Sequence, residues 1–580
     1  MGVSPAIFES NGQRSEHYVP GVYGRSFNLS SPSGITSGNL CILGKSTGGK
    51  PFELIEITGS ADAQEKLVGG ELLTACAYAF KASNTYVPQR VYAMRVNDGT
   101  QSSVNLASGA TNILKVNSWD YGVHTNQLKI LVSSGTVANS KRIILSYKDK
   151  SETVNNIINP LITLTYGGEG VNAVATVGTS SIILSAETEV EPGETPETID
   201  ALTANFSDFD TIDALITYIN NSGVWLADAV GNSGEAKSIT LDTVTSVSIS
   251  DEGTTLYGNY SAFVSALKNM QYVGSVEELD DTTRTVPDDM DAYEYFTGGT
   301  VGAYTIAQWN TALQALALEN IQIIATPATE ENIHSVISTH CTTMSNVTNR
   351  KERTAILGGA VGMTDAEALA ESIGLNNKLV SLCCDNPIAI NPITGDKETL
   401  SGAMLGVLLA AMESSMSPNT PLTFKQLNVL GFSKIRDITN MSTLIQGGIM
   451  VCNANPENLT EYICIRALTT YQSDDLINNE RSMVREDLFM NRDLRSKYRS
   501  SIGTAGVSAN EAIQILKNTA KEWALNGYIV PSDSNENVWD IKVRINGDKV
   551  YITYSRYLTA PVNFVFITAV NHIYTSTVEL

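Results

Sequence analysis

The sequence predicts a multidomain chain of mixed class, α/β and α+β. Two stretches of α/β pattern flank a β-rich stretch, and an α+β C-terminal region follows. Three observations predict it. Strand and helix patterns alternate over residues 39–96 and again from Phe296, the rhythm of a parallel sheet with right-handed crossovers. Between these stretches the composition shifts toward Ser, Thr, Asn and Val in short alternating runs such as QLKILVSS and KRIILSYK. From about Leu427 a strand, a charged helix, a second helix and a hairpin follow one another. At 580 residues the chain is also too long for a single core.

Residues 1–24 carry Pro5 and Pro20 and no sustained period, and end in Val19, Pro20, Gly21, Val22 and Tyr23. LCILG, Leu40 to Gly44, reads as a short buried strand; Ser60 to Ser83 reads as one apolar-periodic helix opened by a Ser-Ala-Asp cap; RVYAMRV, Arg90 to Val96, reads as a second strand. In the insertion, Phe209 to Asn220 is a predicted helix and the acidic run Ala186 to Asp200 a mobile surface loop. From Phe296 the pattern gives helices over Thr305–Leu318, Glu330–Asn349, Asp365–Ile373 and Ser401–Ser415, with strands IQIIATP, TAILGG and LVSLCC between them.

The stretch from Glu461 to Arg499 is the most informative. Tyr462, Cys464 and Arg466 alternate with Ile463, Ile465 and Ala467 as in a strand that runs to about Thr470. Asp474 and Asp475 then start a helix with Leu476, Met483, Leu488, Leu494 and Tyr498 along one side. Its other faces carry Arg481, Arg485, Arg492 and Arg495 among acidic residues, which spacing alone reads as a solvated face of i, i+4 pairs. Ser508–Asn526 follows as a helix, then strands at WDIKVRI, KVYITYS and NFVFITAV with a hairpin turn at Asn546 and Gly547.

Composition excludes several functions. The net charge of −23 argues against coating nucleic acid, because neutralising phosphates needs a basic surface. The start, MGVSPAIFES, has no basic segment leading an apolar run and no Ser or Thr at position 6, so neither a secretory signal nor myristoylation is expected. The longest apolar run, Ala403 to Met412, is far short of a membrane span. The seven cysteines have no C-x-x-C spacing and read as reduced core residues. GKSTGGK, Gly44 to Lys50, fits part of a phosphate-binding loop, but Pro51 stands where a metal-binding hydroxyl is needed and a strand follows instead of a helix. His334, His340 and Cys341 share a predicted helix on partly different faces, so surface or capped roles are expected there rather than zinc. No catalytic residue, metal or cofactor is expected.

The order of segments resembles the contractile phage tail sheath protein family. There, Arg-Ala or Arg-Gly followed by T-T-Y or S-T-Y closes a strand ahead of a long helix, and this chain has Arg466, Ala467, Leu468, Thr469, Thr470 and Tyr471 in those places. P-G-V-Y near the start, the turn in WDYGVHTNQLKI (Trp119 to Ile130), FTGGTVG (Phe296 to Gly302) and LNVLGFSKIRD also resemble family motifs. The resemblance implies an arm over 1–24, an α/β domain of 25–100 plus 296–425, a β-rich, outward-protruding insertion over 101–295, and an assembly domain over 426–580 with a terminal arm. It implies subunit contacts at Val19–Tyr23, Arg466, Thr469, Thr470 and Tyr471, and a tube- or ring-facing role for Arg481, Arg485, Arg492 and Arg495. Implied partners are further copies of the chain in stacked rings, the tail tube protein, and baseplate and tail terminator proteins, with neither nucleic acid nor membrane. The expected place is the virion, after assembly in the host cytoplasm. The sheath of a type VI secretion or phage-tail-like bacteriocin apparatus shares the pattern; a nucleotide-binding enzyme is the distant alternative.

Overall fold

A computed structural model of the chain describes residues 38–571 apart from 192, 504, 505 and 507, together with the backbone of two paired strands, Ala6–Ser10 and Gln13–His17. The chain divides into two compact units: Met1–Ser46, Phe52–Val96 and Tyr304–Leu580 form one, Thr47–Pro51 and Asn97–Ala303 the other.

The first unit is built on an eight-stranded sheet in the order Asn458–Arg466, Ile449–Asn455, Val380–Cys383, Thr354–Gly358, Ile323–Ala325, Leu40–Gly44, Val91–Arg95 and Leu54–Ile57. The inner strands run parallel, and the two outermost, Asn458–Arg466 and Leu54–Ile57, antiparallel to their neighbours. Alternation along Leu40–Gly44 shows how both faces fill: Leu40 and Ile42 join the core under the helices Glu71–Ala79 and Gly402–Ser414, while Cys41 and Leu43 join the core under Ile306–Leu316 and Glu331–Met344. All seven cysteines are buried free thiols.

Three expectations need correction. The helix read over Ser60–Ser83 is two, Ser60–Leu67 and Glu71–Ala79, because Val68 and Gly70 take positive φ, and a Cβ at Gly70 would lie 2.7 Å from the Lys45 carbonyl. The α/β sheet does not end by 425: the helix Ile438–Gln446, capped by Asp437, leads into Ile449–Asn455, which extends the parallel register of Val380–Cys383. NFVFITAV forms no strand within the described residues.

The helix Gly402–Ser414, apolar up to Glu413 near its end, crosses the sheet at backbone contact. A Cβ on Gly358 would lie 2.2 Å from the Gly402 carbonyl, and one on Gly402 2.4 Å from the Cys383 oxygen. Gly358→Ala should therefore push the helix off the sheet and cost about 1–3 kcal/mol in urea unfolding; a variant as stable as the wild type would show that the helix has slack to move.

The second unit contains two small cores. One lies between the sheet of Gln101–Ser108, Thr111–Tyr121 and Val273–Glu278, the sheet containing Leu128–Ser134 and Lys141–Tyr147, and the helix Asn259–Lys268. The other packs the antiparallel strands of 160–187, 198–205 and 225–257 around the helix Ile212–Asn220 and the buried Trp225. The acidic run is the end of a hairpin: strands Ser181–Glu187 and Thr198–Asn205 flank it, and Thr188 N donates to Glu197 O at 2.9 Å.

Candidate assembly site

The helix expected from Asp474 breaks at Glu480, whose extended backbone separates Leu476–Asn479 from Arg481–Tyr498. The break turns Arg481 and Arg485 inward, and neither is on a solvated face. Arg481 uses every donor it has: Nε and Nη2 fork onto Glu413 at 2.8 Å each, Nη1 reaches Ala355 O at 2.9 Å and Ser381 Oγ at 3.0 Å, and Nη2 reaches Thr354 Oγ1 at 3.1 Å. Arg485 Nη2 donates to the Glu413 main-chain oxygen at 3.1 Å, at the C-terminal end of Gly402–Ser414 where cations are favoured. Burial alone would push the Glu413 carboxyl up; the two guanidiniums outweigh it and hold it below its ordinary value. This cluster ties the C-terminal helix to the centre of the sheet.

The other two arginines are not free cations either. Arg495 Nη2 donates to Glu352 Oε2 at 2.7 Å. Burial pushes half-buried Arg492 down to about 10 against the opposing pull of Glu352, and it lines a cavity of about 110 Å³ with Arg350 and Glu352.

The R-A-L-T-T-Y segment is likewise spent inside the chain. Thr469 Oγ1 donates to Asn478 O at 2.6 Å; Thr470 N donates to Val380 O at 2.8 Å, and its hydroxyl to Asn377 O at 3.1 Å. Thr469 and Thr470 are buried, Tyr471 half-buried, and Arg466 sits 3.9 Å from Glu480 with its guanidinium over the Phe564 ring. The motif therefore brackets the strand end to neighbouring segments, and the expectation that Thr469 and Thr470 contact other subunits directly is corrected. Val19, Pro20, Gly21, Val22 and Tyr23 lie outside the described residues.

Two other motifs meet within the second unit. Asn126 pairs with the Gly299 main chain in both directions, Nδ2 to O at 3.0 Å and N to Oδ1 at 2.8 Å, so WDYGVHTNQLKI clasps FTGGTVG. Gly49 N of the GKSTGGK loop donates to Asp120 Oδ1 at 2.8 Å, so a phosphate there would meet a carboxylate. His334 is buried, with Nδ1 on Glu371 and Nε2 on Ala328 O, and His340 Nε2 accepts from Arg353 at 2.8 Å; no group of three or more metal ligands converges among the described residues.

A run of exposed apolar residues lies near the C-terminus. Helix Arg481–Tyr498, helix Ala509–Leu525 and the hairpin Trp539–Asn546/Lys549–Ser555 share a small core around Phe489, Leu516 and Trp523, whose Nε1 donates to Asp493 at 2.7 Å. The hairpin stands as a two-stranded sheet, leaving Ile545, Val550 and Tyr551 exposed. Beyond it the chain runs without secondary structure through 559–571, with Val562 82%, Phe566 91% and Ile567 86% exposed. Period alone read this apolar run as a strand; it has strand composition and, among the described residues, no strand paired with it. No helix among the described residues is long and apolar enough to cross a membrane.

The arginines expected to face outward are thus paired within the chain, while an apolar segment near the C-terminus stays exposed. No protein-family model matches it. Its sequence is 23% identical over 596 residues to the tail sheath protein of Bacillus phage SP01, covering 98% of this chain and 97% of that protein. It is 23% identical over 482 residues to the tail sheath protein of Staphylococcus phage Twort, covering 79% and 80%. A sheath tail protein from Listeria innocua has the same fold, with a TM-score of 0.55 at 13% identity over 91% of this chain and 93% of that one. Similarity to tail sheath proteins thus runs along nearly the whole chain, and the fold of a sheath tail protein is shared.

Proposed function

We propose that the chain is the structural, non-enzymatic subunit of a contractile tail sheath. It polymerises with identical copies around a tail tube as stacked, helically related rings, and shortens to drive the tube through the host envelope. Baseplate and tail terminator proteins are its further partners, and the virion its final place after assembly in the host cytoplasm. The observation that carries this reading is the exposed apolar segment after Leu558, beside a hairpin with open edges. A two-stranded hairpin is marginal in water, and a third strand lent by another copy supplies both main-chain hydrogen bonds and apolar cover. The N-terminal arm, 1–24 with Val19–Tyr23, is a second lender, and the inserted β-rich domain, 101–295, is an outward decoration. Strand exchange keeps neighbours connected while ring interfaces switch between two packings, so the cylinder changes length without dissociating. Surface ion pairs suit faces that must release, since each exposed pair contributes only about 0–1 kcal/mol. Negative-stain microscopy of the purified chain tests this: long hollow tubes are expected, and a monodisperse monomer at high concentration would refute the reading.

A further inference from the structure

Past the short strand Tyr557–Leu558, which pairs with Ile529–Val530, the chain lies across the start of the helix Arg481–Tyr498. Thr559, Pro561 and Asn563 are partly buried there, while Ala560, Val562 and Phe564 between them face outward. This is the alternation of a strand laid on a surface, made without a partner strand.

Two fully buried carboxyls, Glu480 and Glu486, lie along this segment. Asn563 Nδ2 donates to Glu480 Oε2 at 3.2 Å, and Arg466 Nε stands 3.9 Å from the same oxygen while its guanidinium covers the Phe564 ring. Ser482 is the other polar neighbour of Glu480. Around Glu486 are Arg556, Asp487 and the Thr559 main chain, with Tyr528 and Arg485 from the core side. Their charges are largely committed elsewhere: Arg556 to Asp487 at 2.5 Å, Arg485 to Glu413. Hydrogen bonding to these carboxyls is sparse: beyond Asn563, Glu480 has only the Ser482 hydroxyl beside it, and Glu486 only the Thr559 main chain, neither in good hydrogen-bond geometry. A carboxylate left so would carry a large desolvation cost, whereas a carboxylic acid carries little.

We propose that residues 559–564 form a proton-dependent latch, lying down over Glu480 and Glu486 when both are protonated and lifting when they ionise. Burial pushes Glu486 up to about 9 despite Arg556, and pushes Glu480 upward despite Arg466, from an ordinary value of 4.5. The covered form therefore binds more protons than the lifted form between about pH 4.5 and 9, so latching weakens as pH rises through that window. Acid keeps the segment on its own chain; neutral and alkaline conditions free it. Only the use made of a freed segment, lending it to another copy, rests on the sheath reading.

Amide hydrogen exchange of the peptide spanning 556–571, on full-length chain below the concentration of polymerisation, tests the latch at pH 5.5 and 8.5 after correction for intrinsic rates. The expected result is protection of the Thr559 amide, which donates to Tyr528 O at 3.2 Å when the segment is down, that falls by about tenfold per pH unit for each proton released and persists at pH 8.5 in the Glu480→Gln/Glu486→Gln variant. Asn563→Asp, at the latch surface and away from the core, should lose protection at pH 8.5 with the remaining chain unchanged. Equal wild-type protection at both pH values, or the same pH dependence in the double glutamine variant, would overturn the latch. Because the readout needs no polymer, a latch without tubes would count against the sheath reading alone.

Discussion

Arg481→Met lowers the unfolding free energy by about 3–5 kcal/mol, the cost of leaving a buried charge without its partner. Glu413 then keeps only Arg485, whose Nε stands 3.5 Å away, and Ala355 O, Ser381 and Thr354 lose their common donor. The double variant Arg481→Met/Glu413→Met removes both charges and should recover most of the loss, so the pair shows a large coupling in a double-mutant cycle. The sign with pH follows from the Glu413 carboxyl, held below its ordinary value of 4.5. Its contribution is present above that value and is lost as pH falls through the lowered one, so the gap between wild type and Glu413→Gln narrows in acid. Urea unfolding at neutral pH and near pH 4 measures both effects. A single variant within about 0.5 kcal/mol of wild type would mean the cluster does not hold helix to sheet.

The second large effect is on assembly. Phe566→Asp with Val570→Asp abolishes polymerisation while leaving the folded chain as stable as before. The two residues are 91% and 74% exposed, so within the monomer the charges meet water; four positions apart, they would share one face of a strand. Against a neighbour's hairpin the same charges would be buried unpaired, which strand pairing does not tolerate. Thermal unfolding should move little, and sedimentation should show polymer lost. Polymers of wild-type length from this variant would mean that the segment lends nothing.

Much of the α/β half is legible because its strands bury both faces and read as short apolar runs between capped helices: LCILG, TAILGG and LVSLCC are examples. The break at Val68–Gly70 was not, because apolar periodicity continues across it and the constraint is the Lys45 carbonyl, distant in sequence. Nor was Ile449–Asn455, which is fixed by its register with Val380–Cys383. Burial of Arg481 and Arg485 had a signal at the other partner: Glu413 is the only charge in an otherwise apolar helix, and such a carboxylate requires a cation inside the fold. Spacing on the arginines' own helix could not show this, since i, i+4 charge patterns look the same whether the face meets water or a buried acid. NFVFITAV has the composition of a strand, but whether it becomes one depends on a partner strand, and none pairs with it among the described residues.

Microscopy of wild type and Phe566→Asp/Val570→Asp, side by side at equal concentration, tests the central claim most directly. The account predicts long hollow tubes from the first and single folded subunits from the second; single subunits from both, or tubes of equal length from both, would contradict it.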